Sequence, residues 1–341
     1  MRMVRFKEVL LDSEKETQIA LLEKYNLEYE YDIDYAVLAY EDDKLLGTAS
    51  LARNVMKCFL VVKEAQGKQV MTMMYEHLLD VLEERNIDHY FVYTMPNNEE
   101  IFEQLGMHVL VRTMNTVLLE GGQHIKDVLK RLQEDYQLDQ RKKHCVIING
   151  NPMTLGHLYL IEEAAKEAEQ LLVFVVSEDA SSFPFEDRFM IIKKATKHLK
   201  NVVVLPTENY LVSKITFPKY FLKEDQLIDA EQTMIDVLIY KEYFVKFFNI
   251  KKRYLGEEPF SYNTNKYNQV LKQYMNGHIH IIPRKAIGEQ VISASKVRKL
   301  IKANKLAKVK EYVPSATYEF LQSKKGQKVI QTLIDRELGR H

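Results

Sequence analysis

The chain has 341 residues, 46% of them hydrophobic, which is enough for two domains with a core each. Its 48 basic and 48 acidic side chains leave a formal net charge of zero. That balance argues against a nucleic-acid or membrane-surface protein, which would carry a basic excess.

Residues 35–40 and 45–51 are apolar runs joined by Glu41-Asp42-Asp43-Lys44, a hairpin pattern, and 55–62 reads as a third strand. Met71, Met74, Leu78, Leu79, Val81 and Leu82 recur at helical spacing and predict a helix over 71–84, its methionines packed in a core. A strand at 89–93, a short helix at 97–104 and a strand at 107–119 follow. A charged helical stretch over 124–139, closed by Arg141-Lys142-Lys143, reads as a linker. The expected division is a mixed α+β domain over 1–123, a helical linker over 124–142 and a second domain over 143–341.

The second half changes character. Residues 145–148 and 171–176 are continuous apolar runs, and Leu158, Ile161, Ala165 and Ala168 mark one face of the helix between them. This is the pattern of a parallel sheet covered on both faces. A helix starting near Glu186, strands at 202–205, 252–255 and 279–282, and a long helical stretch over 227–249 extend it. The tail from 299 onward is basic and helical. Cys58 and Cys145 lie in apolar runs and read as buried thiols of a reducing compartment, without a disulfide or metal site. No apolar run nears the roughly 18 residues of a membrane span, and the N-terminus lacks a signal-peptide core, so a soluble cytoplasmic protein is expected.

Two segments carry chemistry. Asn149-Gly150-Asn151-Pro152-Met153-Thr154-Leu155-Gly156-His157 joins a buried strand to an amphipathic helix. Ligands bind at such strand ends in open α/β folds, and the helix offers unpaired N–H groups with a partial positive charge. Pro152 fixes the loop. Gly156 leaves no side chain between backbone and phosphate. Thr154 can donate its hydroxyl to a phosphate oxygen, and His157 can place an N–H on the α-phosphate during attack. Asn149 and Asn151 either orient the attacking carboxylate or cap the turn. In Ile292-Ser293-Ala294-Ser295-Lys296-Val297-Arg298, Ser293 is a good N-cap. With Ser295 and Arg298 it also suits counter-charge on the β- and γ-phosphates. Lys219 after Pro218 reaches phosphates or sits on a surface turn, and Gly256 after a strand lines the nucleotide site or merely ends the strand. His278 and His280 lack a carboxylate or cysteine cluster, so no metal site is expected. Together the two segments point to adenylyl chemistry on ATP.

The paired segments resemble the motifs of the HxGH nucleotidyltransferase superfamily. Ser177-Glu178-Asp179, Phe183-Pro184-Phe185 with Arg188, Thr216 to Phe221, and Gly256-Glu257-Glu258-Pro259 with Tyr267-Asn268 resemble the citrate lyase ligase family within it. The strand order of the first third resembles the GNAT acetyltransferase domain that this family carries. The resemblance implies an α/β chain: a GNAT-like domain, then a Rossmann-like nucleotidyltransferase domain with a helical tail. It also implies ATP with Mg²⁺, acetate, and as partner the citrate lyase acyl carrier subunit, whose CoA-derived arm ends in a thiol. One departure stands out. Gln66-Gly67-Lys68-Gln69-Val70-Met71 occupies the GNAT pyrophosphate loop, with Gln69 at a glycine position and Met71 at a small one. Side chains there crowd the backbone cradle, so weak acetyl-CoA binding is expected, and the domain is free to dock the carrier or its arm. The alternatives are a plain adenylyltransferase, which needs no first domain; a GNAT acetyltransferase with a nucleotide-sensing module; and a non-catalytic scaffold.

Overall fold

Alternating and continuous apolar runs build two kinds of sheet in this computed structural model, which describes residues 4–177, 181–211, 220–222, 225–257, 262–275, 277–283, 286–287 and 290–337. The chain begins β1 (Val4–Glu8), α1 (Asp12–Lys24), β2 (Tyr35–Glu41), β3 (Lys44–Ala52), β4 (Val55–Val61), α2 (Val70–Glu84), β5 (His89–Thr94), α3 (Glu99–Gln104), β6 (His108–Arg112) and β7 (Val117–Gly122). It continues α4 (Ile125–Asp135), β8 (Lys143–Ile148), α5 (Leu155–Glu167), β9 (Leu171–Val175), α6 (Phe185–Ala195), β10 (Val202–Pro206), α7 (Asp225–Ile239), β11 (Ile250–Gly256), α8 (Tyr262–Tyr274) and β12 (Ile279–Ile282). The tail holds α9 (Ala294–Lys302), α10 (Leu306–Val309), α11 (Ser315–Gln322) and α12 (Lys324–Glu337). Two compact units result: Met1–Val128 with Lys214–Leu238, and Leu129–Ser213 with Ile239–His341. Among the described residues no helix is long and apolar enough to cross a membrane.

The first unit is a seven-stranded sheet in the order β1-β2-β3-β4-β5-β7-β6. Met74, Leu78 and Leu82 of α2 pack on it with Leu51, Met56 and Val92. The run 107–119, expected as one strand, is instead the hairpin β6–β7. Its turn is built by Thr113, whose hydroxyl accepts from the Thr116 N–H at 3.0 Å, as small hydroxyl residues do in turns. The parallel pair β4–β5 is joined only at Val55–Phe91 and Met56–Val92, after which the strands part. Tyr220, 7% exposed, fills the wedge between them. Its hydroxyl donates to the Tyr93 carbonyl of β5 at 3.1 Å and accepts from the Cys58 N–H of β4. A cavity of about 650 Å³ opens beside it, lined by Phe59, Val61, Gln66, Gln69 and Phe221 among others. Gln69 stands before α2 at φ 60°, the left-handed backbone that favours glycine.

The second unit is a five-stranded parallel sheet, ordered β10-β9-β8-β11-β12. β8, β9 and β10 step outward in one direction, and the chain then returns to place β11 on the other side of β8. The order therefore reverses between β8 and β11, which opens a crevice at their carboxyl ends. Val146, Val173 and Val175 of the sheet pack against Ile161, Ala164 and Ala165 of α5 and Ile191 and Ile192 of α6. The stretch after Asp225 is α7 followed by a π-helical turn over Tyr240–Val245. Both cysteines are free and fully buried, as their apolar surroundings required, and burial pushes the Cys145 thiol up to about 11.

Candidate active site

The crevice is floored by the loop after β8. Gly150 turns it at φ 62°, the left-handed backbone that favours glycine, and a Cβ there would press on Ile192 Cδ1 at 2.9 Å. The side-chain oxygens of Asn149 and Asn151 serve the turn. Asn149 Oδ1 accepts from Arg188 Nη1 at 2.8 Å and from the Ser181 hydroxyl at 3.1 Å. Asn151 Oδ1 accepts from the Phe183 N–H at 3.1 Å. Pro152 is buried behind a cis peptide, and Thr317 donates to the Met153 carbonyl at 3.0 Å.

Thr154, 2% exposed, caps α5. Its hydroxyl accepts from the His157 N–H at 3.4 Å, and its own N–H donates to His157 Nδ1 at 3.0 Å. An Nδ1 that accepts from a backbone N–H carries no proton, so the neutral ring is protonated at Nε2. The capping box thereby fixes both the rotamer and the tautomer of His157. The Leu155 N–H donates to the Tyr312 carbonyl at 2.9 Å. Among the described residues, the Gly156 N–H is the donor of this first turn that stays uncommitted.

The second segment meets the first. Arg298 Nη1 donates to the Asn151 carbonyl at 2.5 Å, and Nη2 donates to the Ser295 hydroxyl at 3.3 Å. Burial lowers the Arg298 pKa from its ordinary value. Ser293 caps α9 by accepting from the Lys296 N–H at 3.2 Å. A Cβ built on Gly156 would lie 3.7 Å from the Ile292 carbonyl, so the openings of α5 and α9 are neighbours. Gly256 ends β11 on the far side of the crevice, paired with Ile282 of β12. Lys219 falls outside the described residues, as do Glu178, Asp179, residues 216–218, Glu258 and Pro259. Among the described residues no group of three His, Cys, Asp or Glu is placed to hold a metal ion.

Arg188 is a site-building residue that motif spacing alone does not mark. It is fully buried. Its guanidinium donates to the carbonyls of Asn149 at 2.9 Å, Val176 at 2.7 Å and Phe183 at 2.9 Å. It thus ties the ends of β8 and β9 to the start of α6. Its sequence signals are its place beside Phe183-Pro184-Phe185 in the family resemblance and in the first turn of a helix with Phe185 and Phe189 as neighbours.

Residues 143–321 match the model of the citrate lyase ligase C-terminal domain, and residues 5–107 match that of the acetyltransferase (GNAT) family. The [citrate [pro-3S]-lyase] ligase of Escherichia coli (strain K12) is 30% identical over 324 residues, 92% of this chain and 92% of that protein. Its counterpart in Klebsiella pneumoniae is 31% identical over 308 residues, 88% of this chain and 90% of that protein. A phosphopantetheine adenylyltransferase of Clostridium botulinum (strain Eklund 17B / Type B) is 40% identical over 77 residues, 21% of this chain and 48% of that protein. Among solved structures, an acyl-CoA N-acyltransferase from Pseudomonas aeruginosa matches with a TM-score of 0.31 at 13% identity, over 35% of this chain and 99% of that one. A family model spanning 143–321 and relatives near 30% identity along nine-tenths of the sequence give one answer: the chain belongs to the citrate lyase ligase family.

Proposed function

We propose that this enzyme activates acetate with ATP and passes the acetyl group to a thiol on the acyl carrier subunit of citrate lyase. One carboxylate oxygen of acetate attacks the α-phosphorus. The bond from that phosphorus to the bridging oxygen breaks, giving acetyl-adenylate and pyrophosphate. The thiolate sulfur of the CoA-derived arm then attacks the acetyl carbon, AMP departs with the bonding pair, and the thiol proton goes to solvent. Phosphoryl transfer of this kind depends on positioning and charge stabilisation rather than covalent help from the protein.

Each residue has a defined part. The His157 Nε2–H and the Gly156 N–H face the α-phosphoryl oxygens, where negative charge grows during attack. Thr154 keeps the imidazole in its donating tautomer. Arg298, Ser293 and Ser295 take the β- and γ-phosphates and hold the departing pyrophosphate. Gly256 leaves the far wall of the crevice open for the nucleotide. Mg²⁺ would be held by phosphate and water oxygens of the bound nucleotide and would supply counter-charge to the departing pyrophosphate. Neither cysteine acts as nucleophile, in keeping with their burial and raised thiol pKa values.

The observation that carries this reading is the junction of the two helix openings, with Arg298 on the Asn151 carbonyl and Gly156 beside Ile292. The test is exchange of labelled pyrophosphate into ATP with no carrier protein present. Acetate-dependent exchange is expected. Its absence, or exchange driven by a phosphate acceptor such as phosphopantetheine in place of acetate, overturns the reading and favours a plain adenylyltransferase.

A further inference from the structure

The positive charge of this neutral chain is gathered at one end. The last 50 residues hold 12 Lys and Arg against 4 Asp and Glu, while the 291 before them hold 36 against 44. Helices α9–α12 bury Val297, Ile301, Val309, Leu321, Val329 and Leu333 against one another. That packing turns Lys299, Lys305, Lys308, Lys324 and Lys328 outward, all exposed and without an ion pair among the described residues. Glu319, one of the few acids in the tail, is already paired with Lys194 at 2.5 Å.

An amphipathic helix needs a polar face, but not a face of one sign. Elsewhere the chain mixes signs, as in Lys166–Glu163 and Lys246–Glu242. In α9, α10 and α12 no lysine has an acid three or four places away in its own helix. Lys299 and Lys302, and Lys324 and Lys328, sit at spacings where like charges repel. Such an arrangement weakens the helices by themselves.

We propose that this lysine face is the docking surface for an acidic protein domain, the partner that brings the thiol to the site. The proposal rests on the function proposed above and names where that partner binds. α9 opens on the reaction site at Ser293 and Arg298, and Lys299 and Lys302 follow within about one helical turn. A macromolecule whose thiol must reach an acyl-adenylate has to dock beside that opening. The partner is a compact protein rather than nucleic acid, because a chain of zero net charge gives a long polyanion no overall attraction. Complementary charge chiefly raises the association rate and is screened by salt.

The test uses the full-length protein carrying Lys299→Glu, Lys305→Glu and Lys308→Glu, none of them assigned to catalysis. Acetate-dependent pyrophosphate exchange should match wild type. Acetyl transfer to the citrate lyase carrier subunit should lose about tenfold in kcat/KM, through KM, at low salt, and the gap should close in 0.5 M salt, a Debye length of about 4 Å. Transfer to a small thiol such as pantetheine should not change. Unchanged kcat/KM toward the carrier overturns the proposal. So does a wild-type carrier complex whose affinity ignores salt, a measurement that needs no variant to fold. Equal, lysine-dependent binding of duplex DNA also overturns it. If wild type shows no acetate-dependent exchange, the proposed reaction fails. Salt-sensitive carrier binding that the triple variant lacks would then still support the docking face.

Discussion

At His157 the two ring nitrogens have different tasks. Nδ1 is occupied by the Thr154 N–H, which leaves the proton of the neutral ring on Nε2, the atom proposed to meet the nucleotide. His157→Ala should lower pyrophosphate exchange by about 10²–10³, the usual effect of losing one preorganised donor, and cost about 1–3 kcal/mol of stability because the Thr154 N–H loses its partner. Near-normal exchange in that variant would remove His157 from the chemistry. Gly156→Ala separates stability from function. The new methyl finds only ordinary contacts, 3.5 Å to Thr154 Oγ1 and 3.7 Å to the Ile292 carbonyl. Stability should therefore hold or rise by up to about 1 kcal/mol, as for Gly→Ala in a helix, while exchange falls at least tenfold because the methyl stands where a phosphate approaches. A variant that is stable and fully active would show that no phosphate comes near this backbone. Glu14 provides a pH test away from the site. Its carboxylate accepts from the N–H groups of Leu10 and Leu11 at the start of α1 and pairs with Lys7, which lowers its pKa to about 2. A depressed carboxylate stabilises the fold above its unfolded pKa, about 4.3, and that contribution fades as pH falls through the folded value. Glu14→Gln should therefore be less stable than wild type at pH 7, and the two should converge near pH 2 in urea unfolding.

Among the elements, the parted strands β4 and β5 and the residues around them bear on the expectation of weak acetyl-CoA binding. Tyr220 bridges the two strands by its hydroxyl, and Gln69 takes the left-handed backbone at the opening of α2. Titration of the full chain with acetyl-CoA should show no micromolar binding; a saturable micromolar isotherm would contradict this. The full chain is needed because Tyr220 comes from the second stretch of the first unit. Tyr220→Phe should cost about 1–3 kcal/mol in denaturant unfolding, since the Tyr93 carbonyl and Cys58 N–H lose a buried partner. These elements also show what the sequence could and could not tell. β8, β9 and β10 were legible because strands covered on both faces are unbroken apolar runs. The turn between β6 and β7 was not, because Met114 sits in it 88% exposed and continues the apolar pattern. α1 was hidden for the opposite reason: its buried side includes Glu14 and Gln18, and Gln18 spends its amide on Thr48 and Ser50. The loop after β8 and the cap of α9 stood out because hydroxyl, glycine, imidazole and guanidinium groups cluster there. Arg188 stood out only through the family resemblance, and its role did not, since its carbonyl partners are backbone atoms that no residue pattern encodes.

For the whole molecule, the second unit brings the loop after β8 and the opening of α9 together, and its tail carries an excess of basic residues. The relatives from Escherichia coli and Klebsiella pneumoniae match along both halves, so the family keeps the GNAT-like part together with the nucleotide part. The most direct test is a crystal structure of the full chain with Mg²⁺ and α,β-methylene-ATP. One nucleotide should lie in the crevice between β8 and β11, its α-phosphate within hydrogen-bond reach of His157 Nε2 and its β- or γ-phosphate on Arg298. A nucleotide touching only one of these residues, or bound elsewhere, would contradict the shared site on which the proposed acetate-activating reaction depends.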